Sequence, residues 1–243
     1  MHSLLDNRAT RPDRAGLHVV DLESDSDGSA LADPAPAETS CTMTAAEVTA
    51  VVCAHPARLT NGMLTRALAS VAAQTTPPAA MSVAVDLARE GAAVTRQRAL
   101  DAVQTPWVAF LDSDDEWLPQ HLEALCTVAD SVERCIWVHS YFEPTGMGDP
   151  LGHFGLPFNP ATPHHTTMTV LVRTDIAREV GFHGEHPDTR SPFCNEDWTF
   201  ILGVCAIAVE RDLIMMPLAE RTWRYHGHGG NTSGMPHKGD AGR

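Results

Sequence analysis

The chain has 243 residues, enough for one sizeable domain with its own core but not for two large ones. Its 17 Lys and Arg stand against 31 Asp and Glu, a net charge of -14. That balance disfavours a broad electrostatic grip on a nucleic-acid backbone or an anionic membrane, while a small anionic ligand held through a cation stays possible.

The longest apolar run, "FILGVCAIAV" from Phe200 to Val209, is about half of what a membrane span needs. The N-terminus "MHSLLDNRATRPDR" lacks the apolar centre of a signal peptide. A soluble, cytoplasmic protein is expected. The six cysteines are scattered without a CxxC pair, mostly inside apolar segments, which predicts buried reduced thiols rather than a zinc site.

Residues 1–46 read as a disordered acidic leader centred on "DLESDSDGSALADPAPAETS", with "GLHVVDL" as a candidate edge strand. From Val48 the texture changes. "VTAVVCA" is an uncharged β-rich run, and "LTNGMLTRALASVAAQ" places Met63, Leu64, Ala67, Leu68 and Val71 on one helical face. "MSVAVDL" predicts a second strand ending at Asp86, and "GAAVTRQRALDAV" a second helix before the break at Thr105 and Pro106. "WVAFL" is a third strand. Strands alternating with helices imply a mainly parallel α/β sheet, in which ligands bind at the carboxyl ends of strands.

Further along, "CIWVHSYF" and "TTMTVLV" predict strands, "TDIAREVGF" a short helix closed by Gly181, and "NEDWTFILGVCAIA" a buried helix. "DLIMMP" and "ERTWRYH" read as the last two strands. The chain ends in the Gly- and His-rich stretch "HGHGGNTSGMPHKGDAGR", and the organisation expected is a domain over 47–234 with a flexible tail over 235–243.

The stretch "WVAFLDSDDEWLP" runs a buried strand straight into Asp112, Asp114 and Asp115. One explanation is a helix cap, with Asp114 or Asp115 capping a helix that begins near Trp117 and Pro119 in its first turn. The other is a cation. Like charges about 4 Å apart repel by roughly 4 kcal/mol at an effective dielectric of 20, and a divalent ion removes that cost. Hard oxygen ligands in this spacing suit Mg2+ or Mn2+, which use one or two carboxylates together with substrate phosphates.

The order of "AVVCAHP", "LTRALASVAAQTTPP", "TRQRALDAVQTPWVAFLDSDDEWLPQHL", "TVLVRTDIAREVGF", "NEDWTF" and "RTWRYHGHGGNTS" resembles that of the family 2 glycosyltransferases of GT-A fold, from Val48 to Ser233. The resemblance implies a Rossmann-like, mainly parallel sheet flanked by helices. It implies an inverting hexosyltransferase-like activity on a nucleotide-diphosphate sugar, a UDP-sugar by default, with Mn2+ or Mg2+ as cofactor.

By the same resemblance Asp114 and Asp115 hold the metal and Asp112 and Asp114 contact the donor. Arg96 stands in the place of an arginine near the diphosphate, Asp86 in that of an acid bound to the base, and His55 at the mouth of the first strand. Asp197 takes the role of general base with Glu196 beside it. Arg224 with His226 or His228 belongs to a closing segment that lends a histidine to the metal. His164 and His165 are candidates for the acceptor side, and Trp198 and Trp223 read as packing residues. The sequence departs from the family where "AHP" replaces "TYN" and "DLAREG" replaces "DDGSTD". Two alternatives stay open: a non-catalytic sugar-nucleotide or glycan-binding module of the same fold, and a sugar-phosphate nucleotidyltransferase. The latter lacks the glycine-rich basic loop it would want after the first strand.

Overall fold

The computed structural model describes residues 45–146, 169–183 and 196–228. Seven strands form one sheet: β1 (Val48–Ala54), β2 (Ala80–Val85), β3 (Trp107–Asp112), β4 (Glu116–Trp117), β5 (Cys135–Thr145), β6 (Val170–Arg173) and β7 (Ile214–His226). Five helices accompany them: α1 (Met63–Ala72), α2 (Ala92–Asp101), α3 (His121–Ser131), α4 (Thr174–Val180) and α5 (Glu196–Arg211). The spatial order is β2-β1-β3-β6-β5-β7-β4. β1 pairs in parallel with β2 and β3, and β5 in parallel with β7, whereas β6 and β4 run antiparallel to their neighbours. The sheet is therefore mixed and mainly parallel in strand direction.

Side-chain alternation in the strands feeds two apolar layers, as expected of a sheet covered on both faces. On one face Val51, Val108, Phe110, Ile136 and Val172 pack with Leu100 of α2, Ile176 of α4 and Phe200, Ile201 and Val204 of α5. On the other, Val48, Ala50, Val52, Ala109, Leu111 and Val138 pack with Leu64 and Val71 of α1 and Leu122 and Leu125 of α3. Each such Leu, Val or Phe contributes about 1.5–3 kcal/mol by leaving water. Gly181 closes α4 as expected: its φ of +65° suits a residue without a side chain, and its N–H donates to Ala177 O at 2.9 Å.

The structure corrects the sequence reading at two places. Glu116 and Trp117 form β4, paired with Arg224 and Trp223 of β7, and α3 begins only at His121 after Gln120. Asp114 and Asp115 thus cap no helix, and Pro119 precedes α3 rather than occupying its first turn. "DLIMMP" and "ERTWRYH" form one strand, β7, whose register against β5 shifts at three points. Such bulges let a long strand follow a twisted sheet through the polar residues at its middle.

Ala45 opens a short 3-10 turn, Ala45–Glu47, and is buried against the second layer, so this body includes residues just inside the stretch read as leader. The rest of that stretch, with "GLHVVDL", lies outside the described residues, as do His164, His165, Asn195 and the tail beyond His228. Among the described residues no helix is long and apolar enough to cross a membrane.

Candidate functional site

The carboxyl ends of β1, β2 and β3 lie side by side, because their registers align Ala54 with Val85 and Cys53 with Asp112. His55, Asp86 and Asp112 therefore share one edge of the sheet. This is where an α/β sheet opens a crevice.

The centre of that edge is Arg96. Its position on α2 turns it inward, leaving it 8% exposed. Nη2 donates to Asp112 Oδ1 at 2.6 Å, and Nη1 donates to Glu196 Oε1 at 2.5 Å and to Asp197 Oδ1. Residues a hundred positions apart thus meet on one guanidinium. One cation faces three carboxylates in a place with little water. Burial works against the Arg96 charge, yet the three carboxylates outweigh it and hold its pKa well above the ordinary value. For Asp197 burial prevails over the pull of Arg96 and raises its pKa well above the usual carboxylate range, with Asp112 and Glu196 adding to the rise. Asp112 is raised for the same first reason.

The turn after β3 is closed by Asp115 N–H donating to Asp112 O at 3.0 Å. It sends Asp114 outward and Asp115 inward. Asp114 Oδ2 accepts from Arg58 Nη2 at 2.7 Å and lies 3.0 Å from His228 Nε2. Asp115 is 1% exposed, and its Oδ1 accepts from the backbone N–H of His226 at 3.1 Å. Burial, then Asp112 and Asp114, push its pKa well up. Arg66 of α1 braces the turn by donating from Nη2 to Asp114 O at 2.5 Å. His226 Nε2 stands 3.2 Å from Glu116 Oε2, and burial draws its pKa down.

The residues named from sequence thus fall into three places. Arg96, Asp112, Glu196 and Asp197 form the buried cluster, while Asp114, Asp115, His226 and His228 join the β3 turn to the end of β7. Asp86 and His55 stand at the ends of β2 and β1. Asp86 accepts from the N–H groups of Glu90 and Gly91 at 2.7 and 2.9 Å. These bonds, that of Gly91 foremost, lower its pKa. His55 accepts from Ala57 N–H through Nδ1. Arg224 lies apart from the cluster, reaching Glu143 at 3.2 Å and Glu116 at 3.5 Å. Trp198 and Trp223 are buried packing residues, as read from sequence. Arg58, Arg66 and Glu116 were not anticipated. The only local signal for either arginine is a basic residue in a turn or on a polar helix face.

Asp114 and His228 converge on one point, and no set of three or more His, Cys, Asp or Glu side chains among the described residues is arranged to hold a metal. One carboxylate and one imidazole are two donors of kinds that a divalent cation accepts. That fits Mg2+ or Mn2+, for which water and substrate phosphates complete the shell. Asp115 instead accepts from the backbone N–H of His226 at the end of β7.

Residues 83–168 match the family model described as Glycosyl transferase family 2. The match runs from β2 through α2, the Asp112–Asp115 turn and β5. The sequence finds no match among proteins of curated function. Among solved structures, residues 1–349 of TarS from S. aureus are similar, with 16% identity over 74% of this chain and a TM-score of 0.54. The same S. aureus fragment in complex with UDP-GlcNAc gives 16% identity over 76% of this chain and a TM-score of 0.56. This chain covers 60% of the length of either fragment. The mixed, mainly parallel sheet flanked by helices is the GT-A glycosyltransferase fold, and the segment bearing its acidic turn is the part that matches family 2.

Proposed function

We propose that the chain is a metal-assisted glycosyltransferase that moves a hexosyl group from a nucleoside-diphosphate sugar to an acceptor hydroxyl, with inversion at the anomeric carbon. The observation that carries the reading is the gathering of Asp112, Arg96, Glu196 and Asp197 at the carboxyl edge of the sheet, beside the Asp114 turn. The family 2 match over 83–168 supports the reaction class, and the UDP-GlcNAc complex of the S. aureus fold relative makes UDP the first nucleotide to test.

In this reading Asp197 takes the proton of the acceptor hydroxyl. Its raised pKa makes it a stronger base than a solvated aspartate. Glu196 shares the same Arg96 nitrogen and fixes the helix end from which Asp197 projects. The acceptor oxygen attacks the anomeric carbon from the face opposite the nucleoside diphosphate, and the anomeric bond to the diphosphate oxygen breaks as the new one forms. Arg96 positions both carboxylates against Asp112, at the turn that bears the donor-binding Asp114. Asp86 and His55 border the place of the base, and Arg224 orients the end of β7 through Glu143 and Glu116. Asp114 and His228, with Asp115 and His226 close by in the same turn and strand end, would hold a divalent Mn2+ or Mg2+ ion, which would supply charge neutralisation to the leaving diphosphate.

A binding module without transfer is favoured by one fact, that Arg96 already holds the candidate base Asp197 together with Glu196. A panel of UDP- and GDP-sugars incubated with and without Mn2+, assayed for released nucleoside diphosphate, separates the readings. Metal-stimulated release of UDP or GDP supports a transferase, since such enzymes leak donor to water. Donor binding without release of any nucleotide points to a module, and release of pyrophosphate from a nucleoside triphosphate to a nucleotidyltransferase.

A further inference from the structure

We propose that Arg58 is an exchangeable counter-cation: it neutralises Asp114 while the donor is absent, and moves to the donor's diphosphate when a divalent ion takes its place. The inference rests on the nucleoside-diphosphate reading and adds to it a residue on no motif of the sequence. Arg58 lies in the 3-10 turn Pro56–Leu59 that follows β1, a turn capped by the His55 side chain. Its Nη2 is 2.7 Å from Asp114 Oδ2, each side chain being 16% exposed. Nη1 donates to Met63 Sδ, a weak acceptor.

The oxygen that Arg58 engages is also the one that faces His228 Nε2. A cation coordinated by Asp114 and His228 needs that oxygen, and a guanidinium 2.7 Å from it is a like charge in the way. Arg66 has the opposite character: it donates to the backbone oxygen of Asp114, so the turn keeps its shape when Arg58 departs. Arg58 follows the carboxyl end of β1, one of the strand ends where the diphosphate of a nucleotide sugar comes to lie in this reading. A planar guanidinium fork matches paired phosphate oxygens better than it matches one shared carboxylate oxygen. Exchange keeps the charge near balance in both states, with Arg58 against Asp114 before binding and the ion against Asp114 with Arg58 against the diphosphate after it.

The test uses the full chain, the variants Arg58→Gln and Arg58→Lys, Mn2+ titration followed by electron paramagnetic resonance, and calorimetry with UDP and GDP. Without nucleotide, Arg58→Gln is expected to bind Mn2+ about tenfold more tightly than the wild type, because the competing charge is gone. At saturating Mn2+ the same variant is expected to bind the nucleoside diphosphate about tenfold more weakly, and Arg58→Lys to stay near the wild type for Mn2+. Unchanged Mn2+ affinity in Arg58→Gln overturns the placeholder role, and unchanged nucleotide affinity with Mn2+ bound overturns the transfer to the diphosphate. A wild type that binds neither UDP nor GDP at any Mn2+ concentration overturns the proposed function itself, an outcome distinct from both.

Discussion

At the scale of single residues the Arg96 cluster sets the chemistry. One guanidinium faces three carboxylates there, and burial foremost, with Asp112 and Glu196 adding to it, raises the proton affinity of Asp197 that the proposed reaction uses. Asp197→Asn removes the basic oxygen but keeps the size of the side chain and leaves Arg96 with two carboxylates. Nucleotide affinity is expected to stay within about threefold while sugar transfer falls by roughly 10²- to 10⁴-fold. Calorimetry with UDP or GDP and an assay of transfer check the two halves, and a variant that still transfers at the wild-type rate assigns the proton to another group. The acids of this cluster were legible because they sit at recognisable places, a strand end and a helix start. Their common partner was legible only by resemblance, since nothing within the helix "AAVTRQRALD" distinguishes Arg96 from Arg98. Arg58 and Arg66 were not legible, because each meets Asp114 about fifty residues away and no local pattern encodes such a meeting.

Among the elements, α4 and α5 approach closely at Gly203 and Val180. A Cβ built at Gly203 would stand 2.5 Å from Val180 Cγ1, so only glycine lets the two helices approach as they do. Val180 is β-branched and cannot swing its methyl away cheaply. Gly203→Ala is therefore expected to cost about 1–3 kcal/mol by overpacking, despite the better helix propensity of Ala. Val180→Ala in the same chain should recover most of the loss, as read by urea unfolding. Because α5 carries Glu196 and Asp197 at its first turn, the single variant should also weaken transfer.

Most elements were legible in the sequence, since β1 and β3 are the short, nearly continuous apolar runs that a sheet covered on both faces imposes, and α1 and α5 carry apolar residues at helical spacing. β4 was not. It is two residues long, exists only by pairing with β7 more than a hundred positions later, and stands where Asp114, Asp115 and Pro119 imitate a helix start. The unity of β7 was hidden because Pro217 and Glu220 interrupt its apolar pattern where the ladder to β5 shifts register.

For the whole molecule, one buried histidine sets a distinct acid dependence. His121 is fully buried, stacks on Trp117 at 4.7 Å and shares a hydrogen bond with Thr222 through Nδ1 at 2.6 Å, while Nε2 meets no partner. Burial pushes its pKa down to about 3 from 6.5. Between those values the unfolded chain holds the proton and the folded chain does not, so stability falls as pH drops from 6.5 toward 3 and is unaffected by this group above that window. From pH 7 to pH 5 the loss due to His121 is about 2 kcal/mol. His121→Gln lacks that loss, so the stability gap between wild type and variant should shrink by about 2 kcal/mol over the same interval, whatever its size at pH 7. Urea unfolding at both pH values measures it, and a constant gap would place the acid sensitivity elsewhere.

The sheet also carries its own chemical clock. Burial pushes the thiols of Cys53, Cys126 and Cys205 up to about 12 and that of Cys135 up to about 11. At neutral pH almost none of these sulfurs is thiolate, which slows alkylation of all four, and for the buried Cys126 and Cys135 a reagent also waits for the structure to open. Cys53 lies level with Asp112 and contacts Thr95 beside Arg96, whereas Cys126 and Cys135 lie in the layer across the sheet. Peptide-resolved labelling rates thus report on the strand-end edge beside Arg96 separately from the opposite layer, with no probe introduced.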